Sequence, residues 1–104
     1  MKRVGFAMQL KPGTEEEYKR RHDAIWPELV EELSRAGVRD YSIYLDKRTY
    51  TLFACQKVTD NNTTDSLPSK EIMKKWWAYM ADLMETNPDN SPVVYPLEEM
   101  FYME

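Results

Sequence analysis

An α+β fold is what this sequence predicts, on three observations. Strand-like apolar runs open the chain, fill its middle and close it, two intervening stretches carry apolar residues at helical spacing, and clusters of Pro, Gly, Asn and Asp separate them. Val4, Phe6, Met8 and Leu10 alternate with Arg3, Gly5, Ala7 and Gln9, a strand pattern that ends at the Pro12-Gly13 turn signal. Thr14 followed by Glu17 reads as a capping box, with Glu15 and Glu16 placed at the positive end of a helix. Apolar positions at Tyr18, Ile25, Trp26, Leu29 and Leu33 carry this helix to about Ala36, where Gly37 stops it. Pro27 lacks a backbone donor and should kink the helix, or restart it, near Trp26 and just after His22.

Val38 to Leu45 and Tyr50 to Val58 form two further strands joined by the polar turn Asp46-Lys47-Arg48-Thr49, a spacing that suits a hairpin. Tyr41, Ile43 and Leu45 share one face of the first of them. Thr59 to Ser69 is polar and turn-rich, and Ile72, Met73, Trp76, Trp77, Met80, Leu83 and Met84 then recur at helical spacing. After the turn formers Asn87 to Pro92, the aromatic and apolar run Val93 to Met103 supplies a last strand. The order βαββαβ predicts a ferredoxin-like antiparallel sheet with both helices on one face. Its other face would stay uncovered while still carrying apolar residues such as Ala7, so two sheets pairing face to face in a homodimer, a dimeric α/β barrel, is the expected assembly.

With 104 residues, the chain has room for one domain, residues 1–104. The 14 Lys and Arg against 18 Asp and Glu give a net charge of −4, the opposite of a nucleic-acid-binding footprint. Cys55 is the single cysteine, cannot form an internal disulfide, and is expected to be a buried, inert thiol. Met1-Lys2-Arg3 begins as a signal peptide would, but the apolar run Val4 to Met8 is too short for an export signal or a membrane span, so a cytoplasmic location is expected.

His22 is the only histidine, and therefore the only side chain whose ordinary pKa suits proton transfer near neutrality. It lies four residues after Tyr18, on the apolar stripe of the first helix. A lone histidine on such a face is more often a satisfied core residue than a catalyst. Here, however, Tyr41 from the second strand and Trp76 and Trp77 from the second helix could line a shared cleft, an apolar pocket with few polar groups of the kind that binds a small ligand. Adjacent helical positions point about 100° apart, so the two tryptophans would stand at the cleft's rim. Lys19-Arg20-Arg21 and Lys74-Lys75 read as solvated helix faces. One histidine without a Cys or carboxylate cluster in ligand spacing supports no metal site, and three glycines in all form no phosphate loop.

The segments Glu16 to His22 with Ile25-Trp26-Pro27-Glu28-Leu29, Tyr41 to Lys47, Trp76 to Met80 and Asn87 to Pro92 together resemble the L-rhamnose mutarotase family over nearly the whole chain, including the Phe101-Tyr102 ending. The stretch Thr59 to Pro68 departs from the family pattern, with Asn61-Asn62-Thr63-Thr64 where members carry a tryptophan. The resemblance implies a dimeric α/β barrel that interconverts the α and β anomers of L-rhamnose, with His22 as proton donor and Tyr18, Tyr41, Trp76 and Trp77 contacting the sugar.

Mutarotation protonates the ring oxygen while a base takes the anomeric hydroxyl proton, then recloses the ring on the other face of the aldehyde. No cofactor is needed, because the uncatalysed reaction already runs in water and a positioned acid or base adds about 10²- to 10⁴-fold. His22 is expected to be the acid, with Tyr18 or a bound water as its proton partner. A cofactor-free monooxygenase on the same fold and a non-catalytic sugar-binding protein are the alternatives.

Overall fold

The computed structural model describes residues 1–104. The elements run β1 (Lys2–Gln9), α1 (Glu15–Asp23), α2 (Pro27–Arg35), β2 (Val38–Asp46), β3 (Thr51–Val58), α3 (Glu71–Met80) and β4 (Tyr95–Leu97), with short 3-10 turns at Thr64–Ser69 and Ala81–Leu83. The sheet is antiparallel throughout, in the order β2-β3-β1-β4. This is the ferredoxin-like order expected from the sequence. No helix is long and apolar enough to cross a membrane.

The alternation read in β1 sorts its two faces. Met8 and Leu10 point into the layer between sheet and helices, where they join Leu52 and Ala54 of β3, Tyr18 of α1, Leu29 of α2, and Trp76 and Met80 of α3 in one buried cluster. Leu10, Leu29 and Leu52 are its largest fully buried side chains. All three helices thus draw their apolar stripes onto a single face of the sheet.

Pro27 restarts the helix instead of kinking it. Trp26 is extended (φ −65°, ψ 128°), as a residue preceding proline prefers, and Pro27 begins α2 where its missing N–H needs no partner. The capping box does not form. The Thr14 hydroxyl donates to the carbonyls of Lys11 (2.7 Å) and Leu83 (3.1 Å), which fastens the start of α1 to the end of the α3 region.

β2 contains an irregularity the sequence did not announce. Arg39 pairs with Lys57 but Ser42 with Cys55, so β2 carries one residue more than β3 across this interval, and Asp40 takes up a left-handed φ of 47°. A one-residue slip reverses which face each side chain meets. Before the bulge Val38 faces the helices; after it Ile43 and Leu45 do, opposite Ala54 and Leu52, and Tyr41 comes to lie 6.4 Å from Phe6 of β1, centroid to centroid.

Two expectations are corrected on the uncovered side. Cys55 is exposed, because it pairs with Gly5 and Ser42 on the face that carries no helices. The closing run, expected as one strand over Val93 to Met103, is a strand only at Tyr95–Leu97. Pro96 withholds a donor from the ladder, and beyond Leu97 the segment is held by side chains: Arg3 forms a two-pronged ion pair with Glu99 (2.8 and 3.0 Å) and lies 3.4 Å over the ring of Tyr102. Tyr44, Phe53, Tyr95 and Leu97 are left exposed on this side of the sheet.

Candidate active site

A cleft of about 1120 Å³ opens between the helices and the β2 side of the sheet, and His22, Tyr18, Tyr41 and Trp76 all line it. It is slightly larger than the usual range for small-molecule sites, about 300–1,000 Å³. Four of the five site residues expected from the sequence are therefore brought together. Trp77 is not: it is half-buried against the core and does not line the cleft, as its offset of about 100° from Trp76 around α3 requires.

The i, i+4 spacing of Tyr18 and His22 stacks the two rings, with centroids 4.3 Å apart and planes 28° from parallel. The imidazole also meets Trp76 in a T-shaped contact, with centroids 5.3 Å apart and planes 86° from parallel. Nδ1 of His22 is 3.0 Å from the Tyr18 carbonyl oxygen. A carbonyl only accepts, so Nδ1 carries a hydrogen and donates it. Nε2 makes no hydrogen bond within the protein. Burial pushes the His22 pKa down, and the opposing pull of the Tyr18 carbonyl and of Asp23 is smaller.

The two phenols behave differently from the imidazole. Tyr18 is buried, and burial, reinforced by Tyr41, raises its pKa well above the ordinary 10.0. Tyr41 is pushed up to about 12 by burial, even though 40% of the residue as a whole is open. Neither hydroxyl has a hydrogen-bond partner in the protein, so both remain neutral donors available to a ligand.

An aromatic scaffold missed in the sequence holds this arrangement. Trp26 meets Trp76 edge-on at 5.1 Å and stacks on Tyr79 at 5.5 Å. Arg21, expected on a solvated face, instead keeps only 11% of its side chain exposed. It lies 4.5 Å over Tyr79, pairs with Glu17 at 2.7 Å and Asp82 at 2.9 Å, and donates to the Tyr79 carbonyl at 2.6 Å. The Glu17 partner, four residues before Arg21, was legible in the sequence; Asp82 comes from a distant segment and was not. Lys74 and Lys75 are exposed, as expected. The divergent stretch 59–68 supplies no wall of the cleft. Its Thr59 and Thr63 amides instead bond to the carbonyls of Gly37 and Ala36, bracing the entry to β2. No group of three or more His, Cys, Asp or Glu is arranged to hold a metal ion.

Fold and cleft together define an α+β protein whose cleft, of small-molecule size, is lined by a single imidazole with one unpartnered nitrogen. The sequence model of the family described as L-rhamnose mutarotase matches residues 3–103. The L-rhamnose mutarotases of Bacteroides thetaiotaomicron and Phocaeicola vulgatus are 59% and 58% identical over 104 residues, each alignment covering 100% of both chains. The crystal structure of L-rhamnose mutarotase from Formosa agariphila matches with a TM-score of 0.93 at 53% identity, covering 100% of both chains. The chain belongs to the L-rhamnose mutarotase family, isomerases that interconvert sugar anomers.

Proposed function

We propose that this chain interconverts the α and β anomers of L-rhamnose, with His22 as the group that protonates the ring oxygen and Tyr18, Tyr41 and Trp76 as its sugar contacts. The observation that carries the residue roles is the His22 ring itself, fixed through Nδ1 to the Tyr18 carbonyl and leaving Nε2 unpartnered in the cleft. The neutral phenols donate hydrogen bonds to sugar oxygens, and the Trp76 face packs on sugar C–H groups. Trp77 enters the proposal from the family resemblance alone, since it does not line the cleft. The partly open apolar side chains Ile43, Leu45 and Met73 that line the cleft suit the methyl group of a 6-deoxy sugar, a preference worth about 1 to 3 kcal/mol per methyl and so a graded one.

Opening the ring needs one proton removed from the anomeric hydroxyl and one delivered to the ring oxygen, both within a site that orients the sugar. Proton NMR saturation transfer between the α and β signals of L-rhamnose at equilibrium measures this directly. Exchange that appears with the wild-type protein and collapses in a folded His22→Ala variant supports the assignment; full exchange with His22→Ala rejects it.

We further propose a cytoplasmic homodimer that pairs the two uncovered sheet faces. Support comes from the exposed Tyr44, Phe53, Tyr95 and Leu97 on that face and from the exposed Met100, Phe101 and Met103 of the closing segment. Sedimentation that gives only monomer at micromolar concentration would reject it.

A further inference from the structure

We propose that one imidazole performs both proton transfers: Nε2 of His22 takes the proton from the anomeric hydroxyl and delivers that same proton to the ring oxygen, so no second side chain changes protonation state. This rests on the reading of His22 as the proton-transfer residue and extends it by assigning the base.

The Nδ1 hydrogen is committed to the Tyr18 carbonyl at 3.0 Å in either charge state, so Nε2 is the only position at which this ring gains or loses a proton. Stacking on Tyr18 and the T-shaped contact with Trp76 hold the ring, and with it the direction of that nitrogen. No carboxylate is positioned as a separate base beside it. On α1, Glu15 accepts from the Tyr50 hydroxyl at 3.1 Å and Asp23 is paired with Lys19 at 3.0 Å. On β2, Asp40 is paired with Lys57 at 3.4 Å. The remaining charged groups around the cleft, Glu16, Arg20, Arg39 and Lys47, make no hydrogen bond to the imidazole, and α3 presents only Met73 and Trp76 to the cleft. Of all these, Asp23 alone pulls on the imidazole charge, towards the protonated form, and burial outweighs it. The phenols of Tyr18 and Tyr41 are held protonated by burial, which makes them donors and poor bases.

The chemistry of a hemiacetal makes one nitrogen sufficient. The anomeric oxygen and the ring oxygen are bonded to the same carbon, so a single Nε2 beside that carbon reaches both. As the O–H bond of the anomeric hydroxyl breaks, Nε2–H forms, the C–O bond to the ring oxygen breaks and its electron pair remains on that oxygen. The anomeric carbon becomes an aldehyde, and the imidazolium protonates the released oxygen. After rotation about the bond between the first two carbons, the same transfers run in reverse on the other carbonyl face. His22 ends each turnover neutral, and no other reactant is consumed.

The shuttle requires the neutral ring at the start of each turnover, whereas a dedicated acid requires the imidazolium. The test is anomer exchange as a function of pH on ¹⁵N-labelled protein, after subtraction of the protein-free rate. Because there is one histidine, its ring nitrogens report the titration without ambiguity. We expect Nδ1 to bear the hydrogen above the midpoint, and exchange to rise about tenfold per pH unit up to that midpoint and then level. Tyr18→Phe should keep a rising profile at a rate reduced by about tenfold. Exchange that falls as pH rises through the His22 midpoint would overturn the shuttle while leaving the mutarotase reading intact. Tyr18→Phe reduced to the level of His22→Ala, in a folded protein, would move the base to Tyr18. Absence of exchange by the wild type at every pH would reject the functional reading and the shuttle with it.

Discussion

The imidazole of His22 lies over the phenol ring of Tyr18 at 4.3 Å and donates Nδ1–H to the carbonyl of that same residue at 3.0 Å. A single i, i+4 pair on α1 therefore sets the tautomer, the ring plane and the pocket wall of the proposed catalytic group. The backbone bond is one that a side-chain replacement at position 18 leaves in place, so ring orientation and phenol chemistry are separable by mutation.

Tyr41→Phe removes a hydroxyl that has no partner in the protein, so folding stability should stay within about 0.5 kcal/mol of wild type. The same change removes a donor to the sugar. Loss of about 1.4 kcal/mol of binding in the transition state corresponds to a tenfold fall in kcat/KM. Thermal melts and saturation-transfer kinetics on one sample check both halves; unchanged kinetics would take Tyr41 out of the site.

Stability should form a dome in pH, from shifts of three kinds. The His22 pKa lies below its ordinary 6.5, so the unfolded chain binds the proton more readily, and the contribution present above pH 6.5 is lost as pH falls through the folded value. Glu17 is held down to about 2, from an ordinary 4.5, by hydrogen bonds from Arg20 and Arg21, so its contribution is present above 4.5 and lost as pH falls towards 2. Because Glu17 is open to water, that acid limb should weaken in high salt. Tyr41 titrates near 12 against an ordinary 10.0, and its contribution is full below pH 10 and lost as pH rises through 12. Melting temperatures of wild type and His22→Gln across pH check this: wild type should fall relative to the variant as pH drops below 6.5. A difference independent of pH there would mean that His22 is not desolvated in the fold.

Gly37→Ala should destabilise by about 1 to 3 kcal/mol, which lowers Tm by at least about 4 °C in a domain of this size. Gly37 has φ +103°, and an added Cβ would stand 2.5 Å from Thr59 Oγ1 and 2.8 Å from Asn62 Cβ. Both the backbone and the space are therefore wrong for alanine. The damage falls where β2 begins, four residues before Tyr41, so any loss of activity should exceed that of a surface substitution. An unchanged Tm would contradict the packing of 59–62 against this turn.

Cys55 provides a probe of assembly. It is exposed on the uncovered sheet face, so a face-to-face dimer should shield it from a thiol reagent. Labelling should slow at least tenfold between the concentrations at which sedimentation gives monomer and dimer. Equal labelling rates in the two states would place the dimer contact elsewhere.

The strand and helix periods, the turn clusters and the single histidine were enough to read the βαββαβ order and to place His22, Tyr18, Tyr41 and Trp76 around one layer, because periodicity is local and two faces per element leave few arrangements. What the sequence could not state arises between distant segments. The bulge at Asp40 follows from the pairing of β2 with β3 and decides that the face shared by Ile43 and Leu45 is the same inward one that Val38 occupies before it. Arg21 looks like a solvated charge until Asp82 and Tyr79 close over it. Trp77 is separated from the cleft, and Cys55 from the core, by which side of an element meets the sheet. Local periodicity carries the order of the elements and the one side chain able to transfer protons near neutrality; which nitrogen of that side chain is free follows from long-range packing, since a fixed carbonyl and two packed rings are what hold the imidazole in one orientation.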